Sequence, residues 1–246
     1  MRIFKRRKQR DYTDPVFRLE AIETAFDVLI AEPRYQPSEV KSFNGQTHRK
    51  AIFQELMASF PFEAILETGT FLGNTTGYMA TTSGLPVYTC EINKYFHYVS
   101  TVRLGDLPNV KTCLADSAKF VADLTKTGLK EKFLFVYLDA HWQDQLPLKT
   151  EIEVLCGNWR NLVIMIDDFK VPGDKVYGYD NYGGDKVLSM EKFGGLFAAH
   201  GLAAFFPAVP SSQEDGVRRG CVILAPTGPL ATKLATLQTL RSDHQT

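Results

Sequence analysis

Cysteine is scarce, with four in 246 residues at Cys90, Cys113, Cys156 and Cys221 and no C-x-x-C pair among them. That spacing offers neither a zinc ribbon nor a disulfide framework. Three of the four fall in predicted strands, where a reduced thiol packs as a small core residue, so a reducing cytoplasm is the expected setting. Long apolar runs are missing too, and nothing in the sequence is expected to span a bilayer. Net charge is absent, 28 Lys+Arg against 28 Asp+Glu, so the chain as a whole has no electrostatic claim on nucleic acid or membrane. The exception is local: Arg2, Lys5, Arg6, Arg7, Lys8 and Arg10 crowd the first ten residues. Because Asp11-Tyr-Thr-Asp-Pro15 follows instead of an apolar core, this start does not read as a secretory signal. Residues 1–15 are expected to form a basic, disordered tail. There is no internal repeat and no low-complexity segment.

What is present is ordinary globular composition, 44% apolar and 23% charged, enough for one α/β domain with a substantial core. Its organising stretch runs from Phe133 to Phe169. Phe133-Leu-Phe-Val-Tyr-Leu-Asp139 and Leu162-Val-Ile-Met-Ile-Asp167-Asp168 are apolar runs of the kind buried on both faces, and each stops at carboxylates. As neighbouring parallel strands they would bring Asp139, Asp167 and Asp168 together at the carboxyl edge, where open α/β sheets bind ligands. Three acids there repel one another unless something positive is shared between them, and a hard divalent cation is the simplest candidate.

In chain order, Leu19, Ile22, Phe26, Leu29 and Ile30 predict an amphipathic helix. Ala31 to Pro37 breaks it, and a second helix is expected over His48 to Ser59, burying Ile52, Phe53, Leu56, Met57 and Phe60, with Thr47 as a possible cap. Phe43-Asn-Gly-Gln-Thr47 is expected to be a plain connecting loop. From Ala64 strands alternate with helices. Ala64-Ile-Leu-Glu67 leads into a glycine-bearing turn and a helix capped by Asn74 or a neighbouring Thr. Val87 to Glu91 is the next strand, with Asn93 capping the helix after it. The strand from Val110 follows, then Ser117 opens a helix, and the two organising strands are joined by a helix from near Pro147. Five strands so arranged indicate a doubly wound, mostly parallel sheet. Lys170 to Ser189, rich in Gly, Asp and Tyr, is long enough to be a lid or a substrate-contacting insertion, with Tyr177, Tyr179, Asp180 and Tyr182 as candidates. Beyond a helix over Glu191 to His200, Ala203–Pro207 and Gly220–Leu224 read as an antiparallel pair at the sheet edge. Leu230, Leu234, Leu237 and Leu240 predict a last helix. The expected layout is an N-terminal helical segment at 16–60, an α/β domain at 61–226 and a C-terminal helix and tail at 227–246.

The turn Glu67-x-Gly69-x-x-x-Gly73 is not the dinucleotide fingerprint, because an acid precedes glycines spaced four apart. An acid at the strand end suits a ligand that presents donors or positive charge, such as an ammonium group. Glu91 could accept from a ribose diol, and Asp116 with Ser117 from the amine of adenine. Acids close all five strands at one edge, which solvation alone does not explain.

At these residues the chain resembles the class I S-adenosylmethionine (SAM)-dependent methyltransferases, from about Ala64 to Leu224. The resemblance implies a Rossmann-like methyltransferase fold with an antiparallel edge strand. It also implies that Glu67, Gly69, Thr70 and Gly73 lie against the methionine part of SAM, that Glu91 holds the ribose, and that Asp116 and Ser117 approach the adenine. Within that family, Asp139 with Asp167-Asp168 is similar to the metal ligands of the catechol and macrocin O-methyltransferases. The catechol type has asparagine where this chain has Asp168 and a lysine base where it has Trp142; the macrocin type has paired acids and points to His141 as base. The implied activity is Mg²⁺-dependent (or Mn²⁺- or Ca²⁺-dependent) methylation of a small-molecule hydroxyl, on a sugar or phenol of a natural product. His141 and Asp139 are the expected catalytic residues. A homo-oligomer is compatible with these features. Nucleic acid is not the expected acceptor, because the chain lacks the Asn/Asp-Pro-Pro-aromatic motif of base-modifying relatives. A metal-dependent oxygenase and a non-catalytic binding module on the same fold are the remaining alternatives.

Overall fold

The structure is a computed structural model that describes residues 15–31, 42–141 and 146–242. The basic tail, Trp142 and His244 lie outside the described residues, as do the side chains of Phe26, Leu29 and Ile30. The strands are β1 (Ala64–Thr68), β2 (Val87–Glu91), β3 (Val110–Leu114), β4 (Leu134–Leu138), β5 (Leu162–Asp167), β6 (Leu202–Pro207), β7 (Cys221–Pro226) and β8 (Leu240–Ser242). They form one sheet in the order β3-β2-β1-β4-β5-β7-β6-β8. The first five strands in this order pair in parallel, and β7, β6 and β8 pair antiparallel. The expected doubly wound α/β fold is therefore the one observed.

The helices are α1 (Pro15–Ala31), α2 (Thr47–Ser59), α3 (Asn74–Ser83), α4 (Lys94–Arg103), α5 (Ser117–Leu124), α6 (Leu148–Asn158), α7 (Met190–Ala199) and α8 (Pro229–Leu234). Because side chains alternate across a strand, the apolar runs feed two cores. Leu66, Val136 and Ile164 pack with Phe120 of α5, Ile152 of α6 and Phe197 of α7 on one face. Ile65, Phe135 and Val163 pack with Phe53 of α2, Met79 of α3 and Leu234 of α8 on the other.

Several local expectations are corrected. On α1, Leu19 and Ile22 are exposed, and it is the small Ala21 that packs with Val99 of α4. Gln46, not Thr47, caps α2, and the chain recruits the Asp215 carboxylate to the Thr47 amide at 2.6 Å. Gly73, in a left-handed conformation, takes the cap position of α3 without a side-chain bond. Asn93 caps α4 as expected, accepting from the amides of Tyr95 and Phe96. The C-terminal leucines do not make one helix: α8 ends at Leu234, and Leu240 opens β8. The antiparallel edge thus has three strands, and β7 lies inside it between β5 and β6. Tyr177 is core, with its hydroxyl donating to the Val209 carbonyl at 3.0 Å.

Candidate functional site

The sheet order reverses direction between β1 and β4, and the crevice opens at their carboxyl ends. The chain after β1 turns back at Gly69 (φ +88°), against the backbone that follows β4. A Cβ on Gly69 would sit 2.4 Å from the Asp139 carbonyl oxygen, so only glycine lets the two strand ends touch. The Asp139 amide in turn donates to the Thr68 carbonyl at 3.0 Å. A cavity of about 310 Å³ opens here, lined by Gly69, Thr70, Asn74, Tyr137, Asp139 and Asp167 among others. Its roof includes Asn44 and Gly45, so the segment before α2, expected as a plain loop, covers the crevice. Phe43, Asn44 and Gly45 all take positive φ there, and Asn44 reaches down to donate to Asp167 Oδ2 at 3.1 Å.

The carboxylates expected to bind SAM sit in distinct environments. Glu67 is buried beneath the turn, where its Oε2 accepts from the Thr76 and Thr89 hydroxyls; it braces the glycine turn and does not line the cavity. Thr70 meets Thr89 hydroxyl to hydroxyl at 2.6 Å, extending the same brace. Glu91 accepts the amides of Phe71 and Asn93, both at 2.8 Å, so it fixes the turn after β1 to the start of α4. Burial pushes its carboxyl above the ordinary range. Asp116 is exposed and caps α5 through the Lys119 amide at 3.0 Å, while Ser117 is buried beside it.

The acidic cluster is where sequence and structure part. Asp167 is buried and receives four donors, Arg49 Nη1 and the Asp168 amide at Oδ1, Tyr137 Oη and Asn44 Nδ2 at Oδ2. Burial alone would raise its carboxyl, but the Arg49 guanidinium together with the Tyr137 hydroxyl and the Asp168 amide holds Asp167 below the usual carboxylate range. Asp168, at φ +53°, turns away to accept from Arg219 Nε at 2.6 Å. The same guanidinium reaches Asp180 through Nη2. A carboxylate offers about four lone-pair sites, and those of Asp167 are taken. Among the described residues no group of three His, Cys, Asp or Glu is disposed to hold a metal. The expected triad of Asp139, Asp167 and Asp168 therefore does not fit a divalent ion, because two of its members already have arginine partners. Asp139 differs: half-buried, it lines the cavity without a side-chain hydrogen bond among the described residues. Burial and the neighbouring Asp167 and Asp168 charges raise its proton affinity well above the carboxylate norm.

His141 does not line the cavity. It is buried, both ring nitrogens lack a partner among the described residues, and burial lowers its pKa to about 4. Tyr182 donates to the Asp180 carboxylate at 2.6 Å, which places it in the Arg219 network.

Sequence reasoning passed over Arg49, Arg219 and Glu151. Arg49 shares the buried stripe of α2 with Ile52, Phe53 and Leu56, and Glu151 shares that of α6 with Leu148, Ile152 and Leu155. A charge on the apolar face of a helix was the available signal. Glu151 lies beside the Ser117 and Thr68 hydroxyls, yet neither of its carboxylate oxygens has a hydrogen-bond partner among the described residues.

Burial pushes the carboxyls of Glu67 and Glu151 up to about 7 from an ordinary 4.5. Between those values the native state holds protons that the unfolded chain has released, so their contribution to stability is full below 4.5 and is lost as pH rises to about 7. Glu151→Gln keeps the shape and cannot ionise. Its urea midpoint is expected to exceed that of the parent at about pH 8 and to decline less between about pH 5 and 7; equal midpoints at the alkaline end would contradict the buried, proton-binding role.

No protein-family model and no curated protein sequence matches this chain. Solved structures share its fold. An O-methyltransferase from Bacillus cereus in complex with SAH (S-adenosylhomocysteine) superposes with a TM-score of 0.56 at 20% identity, covering 83% of this chain and 90% of that one. The O-methyltransferase TomG from Streptomyces achromogenes, involved in tomaymycin synthesis and solved with SAM, gives 0.55 at 19% identity over 85% and 90%. Cofactor-bound Rv0187 from MTB gives 0.54 at 19% over 83% and 88%. The fold is thus the α/β fold found in O-methyltransferases. Among the described residues no helix is long and apolar enough to cross a membrane.

Proposed function

We propose that this chain is a SAM-dependent O-methyltransferase acting on a hydroxyl of a small molecule, a sugar or phenol of a natural product. The observation that carries the reading is the contact of Gly69 with Asp139 at the switch point, which puts a bare glycine turn and an unpartnered carboxylate on the same cavity. The residues present fit SAM, since Gly69, Thr70 and Asn74 of the glycine turn line the same cavity as Asp139 at the carboxyl ends of the strands. When bound, SAM supplies a methyl group made electrophilic by its sulfonium.

Gly69, Thr70 and Gly73 shape the backbone that would face the methionine portion, with Glu67 bracing that turn from below. Glu91 holds the turn at the ribose position and keeps lone pairs for a diol. Asp116 and Ser117, at the start of α5, frame the adenine end. Asp139 would take the proton of the acceptor hydroxyl as that oxygen receives the methyl group. A carboxylate with raised proton affinity is better matched to a hydroxyl than an ordinary one, and His141, outside the cavity lining, is not placed for the task. Asp139 and the cavity wall hold acceptor and donor in line, which supplies the entropic part of the acceleration.

Glu91→Gln removes the charge from the β2 end and turns one of its two acceptor oxygens into a donor, and it is expected to weaken SAH binding by at least ~10-fold, at about 1.5–3 kcal/mol per hydrogen bond to a charged group; unchanged affinity would remove Glu91 from the cofactor site. The reading as a whole is tested by following SAH release with a panel of phenols, sugar hydroxyls and RNA. Turnover with hydroxyl compounds is expected, and transfer confined to RNA would overturn the assignment.

A further inference from the structure

We infer that Arg49 and Arg219 stand where a divalent cation would be needed, so that this acidic cluster is partly neutralised by the protein's own guanidiniums and the site works without bound metal. The inference rests on the methyl-transfer reading for what the site does, but its geometry stands alone. Arg49 and Asp167 are each 1% exposed, and both oxygens of Asp167 are filled by four donors. Arg49 is also tied through Nη2 to the Arg219 carbonyl. The Arg219 backbone is locked by a pair of hydrogen bonds with the Gln46 side chain, its N–H donating to Gln46 Oε1 at 2.8 Å and its carbonyl accepting from Gln46 Nε2 at 2.9 Å. Its guanidinium then spans Asp168 and Asp180. The two arginines are therefore bonded to each other's segments, with the α2 start on one side and the strand entering β7 on the other.

A cation placed between Asp139, Asp167 and Asp168 would have to displace at least one buried guanidinium or lie against it. Like charges in such a setting repel strongly, and a buried arginine stripped of its carboxylate has no water to turn to. Mg²⁺ and Mn²⁺ also demand about six oxygen ligands, several from carboxylates or water. Asp139 alone of the three acids keeps its side chain unbonded among the described residues, which is one ligand and not a cage. The two fixed positive charges meanwhile do part of what a metal would do for the cluster: they offset the adjacent carboxylates of Asp167 and Asp168 beside a reacting centre.

The test is a titration of the metal-stripped full chain with Mn²⁺, reading free Mn²⁺ by its paramagnetic resonance signal, paired with SAH calorimetry in EDTA and in Mg²⁺. The expected result is no stoichiometric Mn²⁺ binding up to ~1 mM and SAH affinity equal within ~2-fold in the two buffers. Arg219→Gln, which releases Asp168 and Asp180, is expected to gain Mn²⁺ affinity by at least ~10-fold. One tightly held Mn²⁺ in the parent, lost in Asp168→Asn, would overturn the inference, as would an Arg219→Gln variant that gains nothing. A chain that binds neither Mn²⁺ nor SAH would remove the methyl-transfer reading while leaving the arginine assignment in place.

Discussion

Replacing Arg49 with methionine is expected to lower the stability of the fold by about 3–5 kcal/mol, the loss typical of breaking one side of a buried ion pair. The size follows from where the pair sits. Both side chains are 1% exposed, so water cannot take over when the guanidinium goes. Asp167 would keep Tyr137, Asn44 and its neighbour's amide, three neutral donors for a carboxylate that remains charged. The link from Arg49 to the Arg219 carbonyl would be lost as well, loosening the β7 entry against α2. Lysine is a poor substitute because a single ammonium cannot serve both acceptors from one position. Adding Asp167→Asn to Arg49→Met removes the stranded charge and is expected to recover a large part of the loss. Urea denaturation of the parent, the single and the double variants measures all three quantities. A single-variant loss below about 1 kcal/mol is what an exposed pair would give and would contradict the structural role.

Asp139→Asn is expected to lower kcat by ~10²–10⁴-fold while leaving SAH affinity within a few-fold of the parent, the signature of losing a general base. Asparagine keeps the volume and the two heteroatoms but cannot hold the acceptor's proton. The parent's rate should rise with pH through a group whose affinity for protons is raised above the ordinary carboxylate range, and that rise should vanish in the variant. His141→Gln serves as the contrast: the ring lies outside the cavity lining, so its turnover is expected to change by less than ~10-fold. A parallel fall of turnover and SAH affinity in Asp139→Asn would mean that the carboxylate serves binding alone, and a larger effect at His141 would move the proton transfer there.

The strands and their carboxyl edge were legible because a strand buried on both faces must be a nearly unbroken apolar run, and Leu134–Leu138 and Leu162–Asp167 are such runs. Glu67, Gly69, Glu91 and Asp139 follow from them, since a residue that ends such a strand emerges at the carboxyl edge. Their roles were less legible. Glu67 and Glu91 were expected to face a ligand, yet the fold first uses their oxygens to tie Thr76, Thr89, Phe71 and Asn93. The acidic cluster was read as short of positive charge because its arginines lie far off in sequence: Arg49 is 118 positions from Asp167, and Arg219 is 51 from Asp168. No local pattern announces a partner at that separation. The strand order at the antiparallel edge was hidden for a similar reason, because placing β7 between β5 and β6 is a long-range choice. Three left-handed residues at Phe43, Asn44 and Gly45 also read locally as an ordinary glycine loop; only the bond from Asn44 to Asp167 shows that the loop closes over the cavity.

The measurement that bears most directly on this assignment is a calorimetric titration of the full chain with SAH in EDTA. Saturable one-site binding with micromolar affinity, retained without divalent ions and weakened in Glu91→Gln, is the expected result. No heat of binding and no rise in melting temperature, from a sample that unfolds cooperatively, would contradict it.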